Sequence, residues 1–315
     1  MSLLDADRRD RLRLIRTPHI GPVAYRQLLL RFGAAARALE ALPDLASRGG
    51  NRRFTPADGR MIDAEIAKVA RLEARYIFLG DPAYPPLLAQ AEGAPPVLIV
   101  RGDTALGQER CVAIVGARNA SAAACRFARE LSHALSQAGI IVVSGLARGI
   151  DTAAHQGAGI ARTAAVIGAG IDVSFPPENA DLQERIAREG LLITELPPGA
   201  EPLARHFPAR NRIIAWMSMG TVVVEAAPRS GSLLTARLAE RGGRSWPSPA
   251  SPPIRARLAA MPSSVKAPRW CRARRTSSRR SAPSIRAHCV AASAISSPSH
   301  RLTIFPKRIA RASSA

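Results

Sequence analysis

Residues 112–118 read Val112-Ala113-Ile114-Val115-Gly116-Ala117-Arg118: a short apolar run that stops at a glycine and hands on to an arginine. Four more runs of the same kind follow. They are Ile140-Ile141-Val142-Val143, Thr163-Ala164-Ala165-Val166-Ile167, Leu191-Leu192-Ile193-Thr194 and Thr221-Val222-Val223-Val224. Runs this short and this nearly unbroken predict strands buried on both faces of a parallel sheet. Helices are expected near 121–138, 150–161, 178–189 and 232–241. Strand and helix in alternation predict an α/β, Rossmann-like fold.

The turns after the strands carry the functional signal. They are Gly116-Ala117-Arg118, Ser144-Gly145-Leu146-Ala147-Arg148-Gly149, Gly168-Ala169-Gly170 and Arg229-Ser230-Gly231-Ser232. Small residues between a strand and a helix leave backbone N–H groups able to face an anion, and ligands of open α/β sheets sit at those carboxyl ends. The first turn is not GxGxxG and no Walker lysine pattern occurs, so neither NAD nor ATP is expected, and no cofactor.

Upstream, residues 8–32 predict two short helices around Thr17-Pro18-His19-Ile20-Gly21-Pro22, and a further helix is expected around 57–73. A helical domain over 1–75 therefore precedes the sheet domain, which is expected over 76–241 and opens with the strand Tyr76-Ile77-Phe78-Leu79. The helix–turn–helix is compatible with contact to a DNA backbone and equally with plain packing, since no basic cluster sits at its turn.

The chain has 315 residues and a formal charge of +21, which favours a polyanionic partner. No run of 18 apolar residues predicts a membrane span. Residues 1–7 lack the basic-then-apolar plan of a signal peptide, and Cys111, Cys125, Cys271 and Cys289 show no metal spacing. A cytoplasmic, disulfide-free protein is expected.

Taken together, these stretches resemble the DprA/Smf family of DNA-processing proteins. The resemblance rests on residues 112–118, on Ser144 through His155, and on Pro176-Pro177-Glu178-Asn179. It also rests on His206-Phe207-Pro208-Ala209-Arg210-Asn211-Arg212-Ile213-Ile214-Ala215 and on residues 225–236. It implies a helical domain of the SAM or helix-hairpin-helix kind ahead of the Rossmann-like domain. It further implies single-stranded DNA as ligand, the RecA recombinase as partner, protection of incoming DNA in natural transformation, a homodimer, and no catalysis.

The residue chemistry agrees. Arg118 can place a guanidinium fork on a phosphate. Arg205, Arg210 and Arg212 flank Phe207, and single strands are held by cations along the backbone with a ring against a base. Gly116, Ser144, Gly145, Gly149, Asn211, Ser230, Gly231 and Ser232 complete the expected DNA- and phosphate-binding set. Phe207 has the alternative of simple burial. Asp151 and His155, four apart, suggest a metal pair, but no third ligand accompanies them, so Asp151 is read as a helix cap and His155 as a packing residue. Glu178 and Asn179 are expected to begin a helix and shape its turn. Glu225 after a strand could be an acid catalyst or a carboxylate bonded to nearby N–H groups. With Gly220-Thr221 it faintly suggests nucleotide phosphoribohydrolases, the alternative function, although the Pro-Gly-Gly-x-Gly-Thr turn of those enzymes is absent.

After Arg241 the style of the sequence changes. Residues 242–315 hold 15 of the 45 basic residues and no Asp or Glu, whereas the residues before them hold 30 basic against all 24 acidic side chains. Plausible codons for Arg244 to Ala250, read from the third base, give Val-Met-Ala-Val-Pro-Gly, the strand and turn that the family carries there. The same offset over Val265–Cys271 gives Gln-Gly-Ala-Thr-Leu-Val, and over Arg275–Ser281 Asp-Val-Ile-Glu-Ala-Leu. A reading-frame change between about Leu238 and Arg244 is the expectation, with a disordered tail and doubtful dimerisation; a basic disordered extension is the alternative.

Overall fold

The computed structural model describes residues 4–48, 55–225, 231, 232, 234, 235, 238 and 287–290. Four helices come first: α1 (Ala6–Arg16), α2 (Pro22–Phe32), α3 (Ala35–Arg48) and α4 (Gly59–Arg71). Asp5 caps α1 and Asp58 caps α4, each through its side chain. Leu14, Ile20, Tyr25, Ala38 and Leu42 form the core of this helical part. Leu12 and Ile62 pack on Phe78 and Val97 of the sheet, so the helices are seated on the sheet by apolar contact. Helix α3 is not among those expected from the sequence, because Pro43 interrupts its pattern.

The sheet contains β1 (Arg75–Phe78), β2 (Val97–Gly102), β3 (Cys111–Gly116), β4 (Ile141–Ser144), β5 (Thr163–Val166), β6 (Leu191–Thr194), β7 (Thr221–Val224) and β8 (Ala287–Val290). Its order is β1-β2-β6-β5-β4-β3-β7-β8. The five strands in the middle are parallel, as their continuous apolar runs predict; β1, β2 and β8 join antiparallel at the margins. The short helix α5 (Pro86–Ala89) lies between β1 and β2, and α6 (Ala122–Gln137), α7 (Ile150–Ala158), α8 (Ala180–Glu189) and α9 (His206–Trp216) connect the parallel strands.

Alternate strand residues go to opposite faces. Val112, Ile114, Val142 and Val224 pack with α6 and α7, and Ala165 and Leu192 pack with α8. Ala113, Val115, Val143, Ile193 and Val223 pack on the other face with Ile213 and Ile214 of α9 and with Met217, which follows it. The direction of travel explains this split. From β3 to β6 the chain steps one way across the sheet, so right-handed crossovers put three helices on one face. From β6 it returns to the far side of β3, and the same handedness puts α9 on the opposite face. The order therefore reverses between β3 and β7, which is where ligands of such sheets sit.

The helix expected near 232–241 lies partly outside the described residues; 231, 232, 234, 235 and 238 are helical. Most of the tail expected to be disordered also lies outside them. Its described part is β8, which pairs Val222 with Cys289 and Val224 with Ala287 along the outer edge of β7.

Candidate nucleic-acid interface

Because β3 to β7 are parallel, Gly116, Ser144, Gly168, Thr194 and Glu225 all come to one edge of the sheet, and α9 begins there with His206 and Phe207. Phe207 is half-buried, and a Cβ on Gly168 would meet its ring at 3.3 Å, so the absent side chain at Gly168 seats it. The Arg118 guanidinium stands 5.2 Å from the Phe207 ring centroid and that of Arg210 5.9 Å, within the range of cation–π attraction. Phe175, from the loop between β5 and α8, lies 5.8 Å from Phe207, centroid to centroid, at a 41° tilt. The edge thus carries two rings and two guanidinium groups.

The two arginines differ in what surrounds them. Arg118 is exposed and makes no ion pair among the described residues. Arg210 is buried, only 6 % exposed, with its Nε unpartnered among the described residues. Burial pulls its pKa down to about 10, with the Arg118 charge adding to the shift and Asp151 opposing it; it remains cationic at neutral pH. Arg205 is exposed at the start of α9 and likewise has no ion pair among the described residues. Arg212, two residues past Arg210, faces elsewhere: it donates to the Glu195 carboxylate and the Gly93 carbonyl and lies over Trp216.

The turn after β4 already holds a carboxyl group of its own. The Asp151 carboxylate accepts from the backbone N–H of Gly145 (3.2 Å) and of Ala147 (3.4 Å). Asp151 is therefore not the cap of α7, a position occupied by Gly149; it ties the turn back to the helix. Burial raises its carboxyl pKa, against the opposing Arg210 charge and the two N–H groups. Asn179 donates to the carbonyl of Leu146 (2.9 Å) and to Thr152 Oγ1 (2.9 Å), fixing the same turn, in which Leu146 sits at φ +57°. Ser144 is fully buried and donates to the Ile114 carbonyl at 2.6 Å. Gly149, at φ +72°, leaves room for the first turn: a Cβ there would lie 2.4 Å from the Ala117 oxygen. At Gly116 a Cβ would lie 2.0 Å from the Val224 oxygen. Close backbone approach accounts for both glycines.

His155 is buried without a charge partner. Thr163 Oγ1 gives its one proton to the Val142 carbonyl, so at 2.7 Å it accepts from His155 Nδ1–H and leaves Nε2 bare. Burial first, and the Arg210 charge second, hold the imidazole pKa down to about 3. Among the described residues no three His, Cys, Asp or Glu side chains group to hold a metal.

At the end of β7, Glu225 accepts from Ser121 N–H (2.9 Å) and Ser121 Oγ (2.8 Å), and Ser121 caps α6. Ser232 Oγ donates to the Gly116 carbonyl (2.7 Å), and Asn211 Nδ2 approaches the Gly231 oxygen at 3.4 Å. Ser230 lies outside the described residues. Phe175 went unmarked by sequence reasoning; its one signal is an aromatic ahead of Pro176 and Pro177. No helix among the described residues is long and apolar enough to cross a membrane.

The chain is 43% identical over 238 residues to Protein Smf of Synechocystis sp., covering 71% of this chain and 60% of that protein. It is 38% identical over 221 residues to the DNA processing protein DprA of Streptococcus pneumoniae, covering 69% and 78%. The X-ray structure of DprA from Streptococcus pneumoniae superposes with a TM-score of 0.58 at 33% identity, over 71% of this chain and 85% of that one. Residues 5–67 match the DprA-like N-terminal HHH domain. Residues 75–253, more than half of the chain, match the family described as DNA recombination-mediator protein A, and the chain belongs to that DprA/Smf family.

Proposed function

We propose that the chain binds single-stranded DNA along the carboxyl edge of its parallel strands, protects it and passes it to the RecA recombinase, as in the uptake of DNA by natural transformation. No bond is made or broken. The observation that carries the reading is Arg118, exposed and without an ion pair among the described residues, poised 5.2 Å from the Phe207 ring at the point where the strand order reverses. A free guanidinium beside an aromatic surface suits a phosphate next to an unpaired base. Duplex DNA hides its base faces by stacking and offers only the phosphate half of that match. The Glu225 carboxylate is engaged by Ser121, which supports binding over nucleotide hydrolysis.

Anisotropy titration of a labelled thymidine oligonucleotide, with duplex of equal phosphate count as competitor, tests the reading. Single strands should bind and duplex should compete poorly. Equal competition by duplex, or release of base from a nucleoside monophosphate by the same preparation, would overturn it.

A further inference from the structure

The exposed ring at this edge belongs to Phe175, not to Phe207. Phe207 is enclosed by Gly168, by the Arg118 and Arg210 guanidinium groups and by Phe175 itself. Phe175 is 40 % exposed, and its one ring contact among the described residues is Phe207. Water in contact with an aromatic face of this size is costly, and the ring buries large apolar area when covered. The charges around it select the cover. Arg118 and Arg205 stand exposed without ion pairs among the described residues, while three acids of this region are engaged: Glu178 with Arg148, Asp172 with Lys68 and Glu195 with Arg212. An apolar face beside unspent positive charge fits a ligand that is flat, aromatic and anionic along its backbone.

We propose that Phe175 is a stacking platform for an unpaired nucleobase, with Phe207 as the ring that backs it and Arg118 on the adjoining phosphate. The proposal rests on the single-strand reading above and names the residue that takes the base. Stacking of this kind is tolerant of sequence, since every base has a π-face.

The test uses the full chain and two oligonucleotides of equal phosphate count, one of thymidine and one abasic. The wild type should bind the thymidine strand more tightly. Phe175→Ala should weaken thymidine binding between about fivefold and 150-fold, the range for one stacked base, and leave abasic binding unchanged. Phe175→Trp should restore thymidine binding and quench emission on the thymidine strand beyond whatever quench Trp216, Trp246 and Trp270 give the wild type. Equal affinities of Phe175→Ala and wild type for thymidine would overturn the proposal, as would a Phe175→Trp indole that thymidine leaves unquenched. The tryptophan variant decides the matter if the alanine variant does not fold. A wild type that binds thymidine and abasic strands alike overturns the platform alone, whereas one that binds neither overturns the single-strand reading with it.

Discussion

The guanidinium of Arg210 fills the space that a side chain at Gly145 would need: a Cβ there would lie 1.5 Å from Nη1. The glycine turn after β4 and the second turn of α9 are thus one packed unit, with the Asp151 carboxylate holding Gly145 N–H on its other side.

Gly145→Ala should therefore unfold at lower urea, by about 1–3 kcal/mol, the usual cost of forcing atoms into a filled site. Arg210→Ala should also destabilise, because it empties the space under Gly145 and removes the charge that opposes burial of Asp151, at about 1–3 kcal/mol. In the double variant the methyl enters space that Arg210 has left, so the combined loss should fall short of the sum. Strict additivity in the urea cycle would show that the two residues do not compete for the same volume.

Arg118 and Arg212 are the same residue in different settings: Arg118 has no ion pair among the described residues, whereas Arg212 is held by Glu195. Affinity for single-stranded DNA should fall with salt, at a log–log slope near ~0.7 per phosphate engaged. Arg118→Ala should flatten that slope by about one such contact. Arg212→Ala should leave the slope where it was and lower stability by about 2 kcal/mol, since Glu195 and the Gly93 carbonyl lose their donor. Differences between variant and wild type in the full chain remove the common background of the basic tail. A slope that shifts with Arg212 and not with Arg118 would reverse the assignment.

How far the sequence could be read follows from the same contrast. Strands buried on both faces announce themselves by composition, and the expected runs at 191–194 and 221–224 coincide with β6 and β7. The sheet edge proposed for the ligand followed from the order of those strands. Helix α9 gave no such signal: Pro208 stands in its first turn, and Arg210 lies buried beside Ile213 and Ile214, so no clean apolar stripe forms. The roles of the arginines were hidden for the same reason. A sequence shows that Arg205, Arg210 and Arg212 are close in the chain, but the 100° turn per helical residue sends one under Gly145 and another to Glu195. The use of the Gly145 and Ala147 N–H groups by Asp151 was equally invisible, because a turn that cradles a phosphate and a turn that cradles its own carboxylate have the same composition.

His155 makes the stability of this core depend on pH. Its imidazole takes up a proton near 6.5 when unfolded but only near 3 when folded. Below pH 6.5 the unfolded state binds more protons, so stability is complete above that value and is lost as pH falls toward 3. The loss approaches about 1.4 kcal/mol per pH unit for one such group. Asp151, whose carboxyl is raised by burial, works in the opposite sense and is present in both proteins, so the variant is compared with wild type over pH 6.5 to 5. Urea unfolding across that range should show a shallower slope for His155→Gln than for wild type. Matching slopes would assign the acid sensitivity to another group.

The last expectation concerns the outer edge of β7. In the structure Thr221–Val224 is paired by Ala287–Val290, a stretch from the region without acidic residues. An uncovered Thr-Val-Val-Val edge would template pairing with other chains, so some strand has to lie there. In the alternative frame, Val-Met-Ala-Val follows within a few residues of Arg244, a β-prone run that comes soon after the helical residues 231, 232, 234, 235 and 238. That connection is short, whereas reaching residue 287 spans more than forty intervening residues and closes a far longer loop, at greater entropic cost. Sequencing the coding DNA from the codon of Leu238 to that of Arg244 should reveal a base gained or lost. A chain expressed from the corrected frame should then melt at a higher temperature than the present one, its β7 covered by a neighbour close in sequence. An intact frame on resequencing, or equal melting of the two chains, would leave Ala287–Val290 as the native partner of β7 and the basic tail as a true extension.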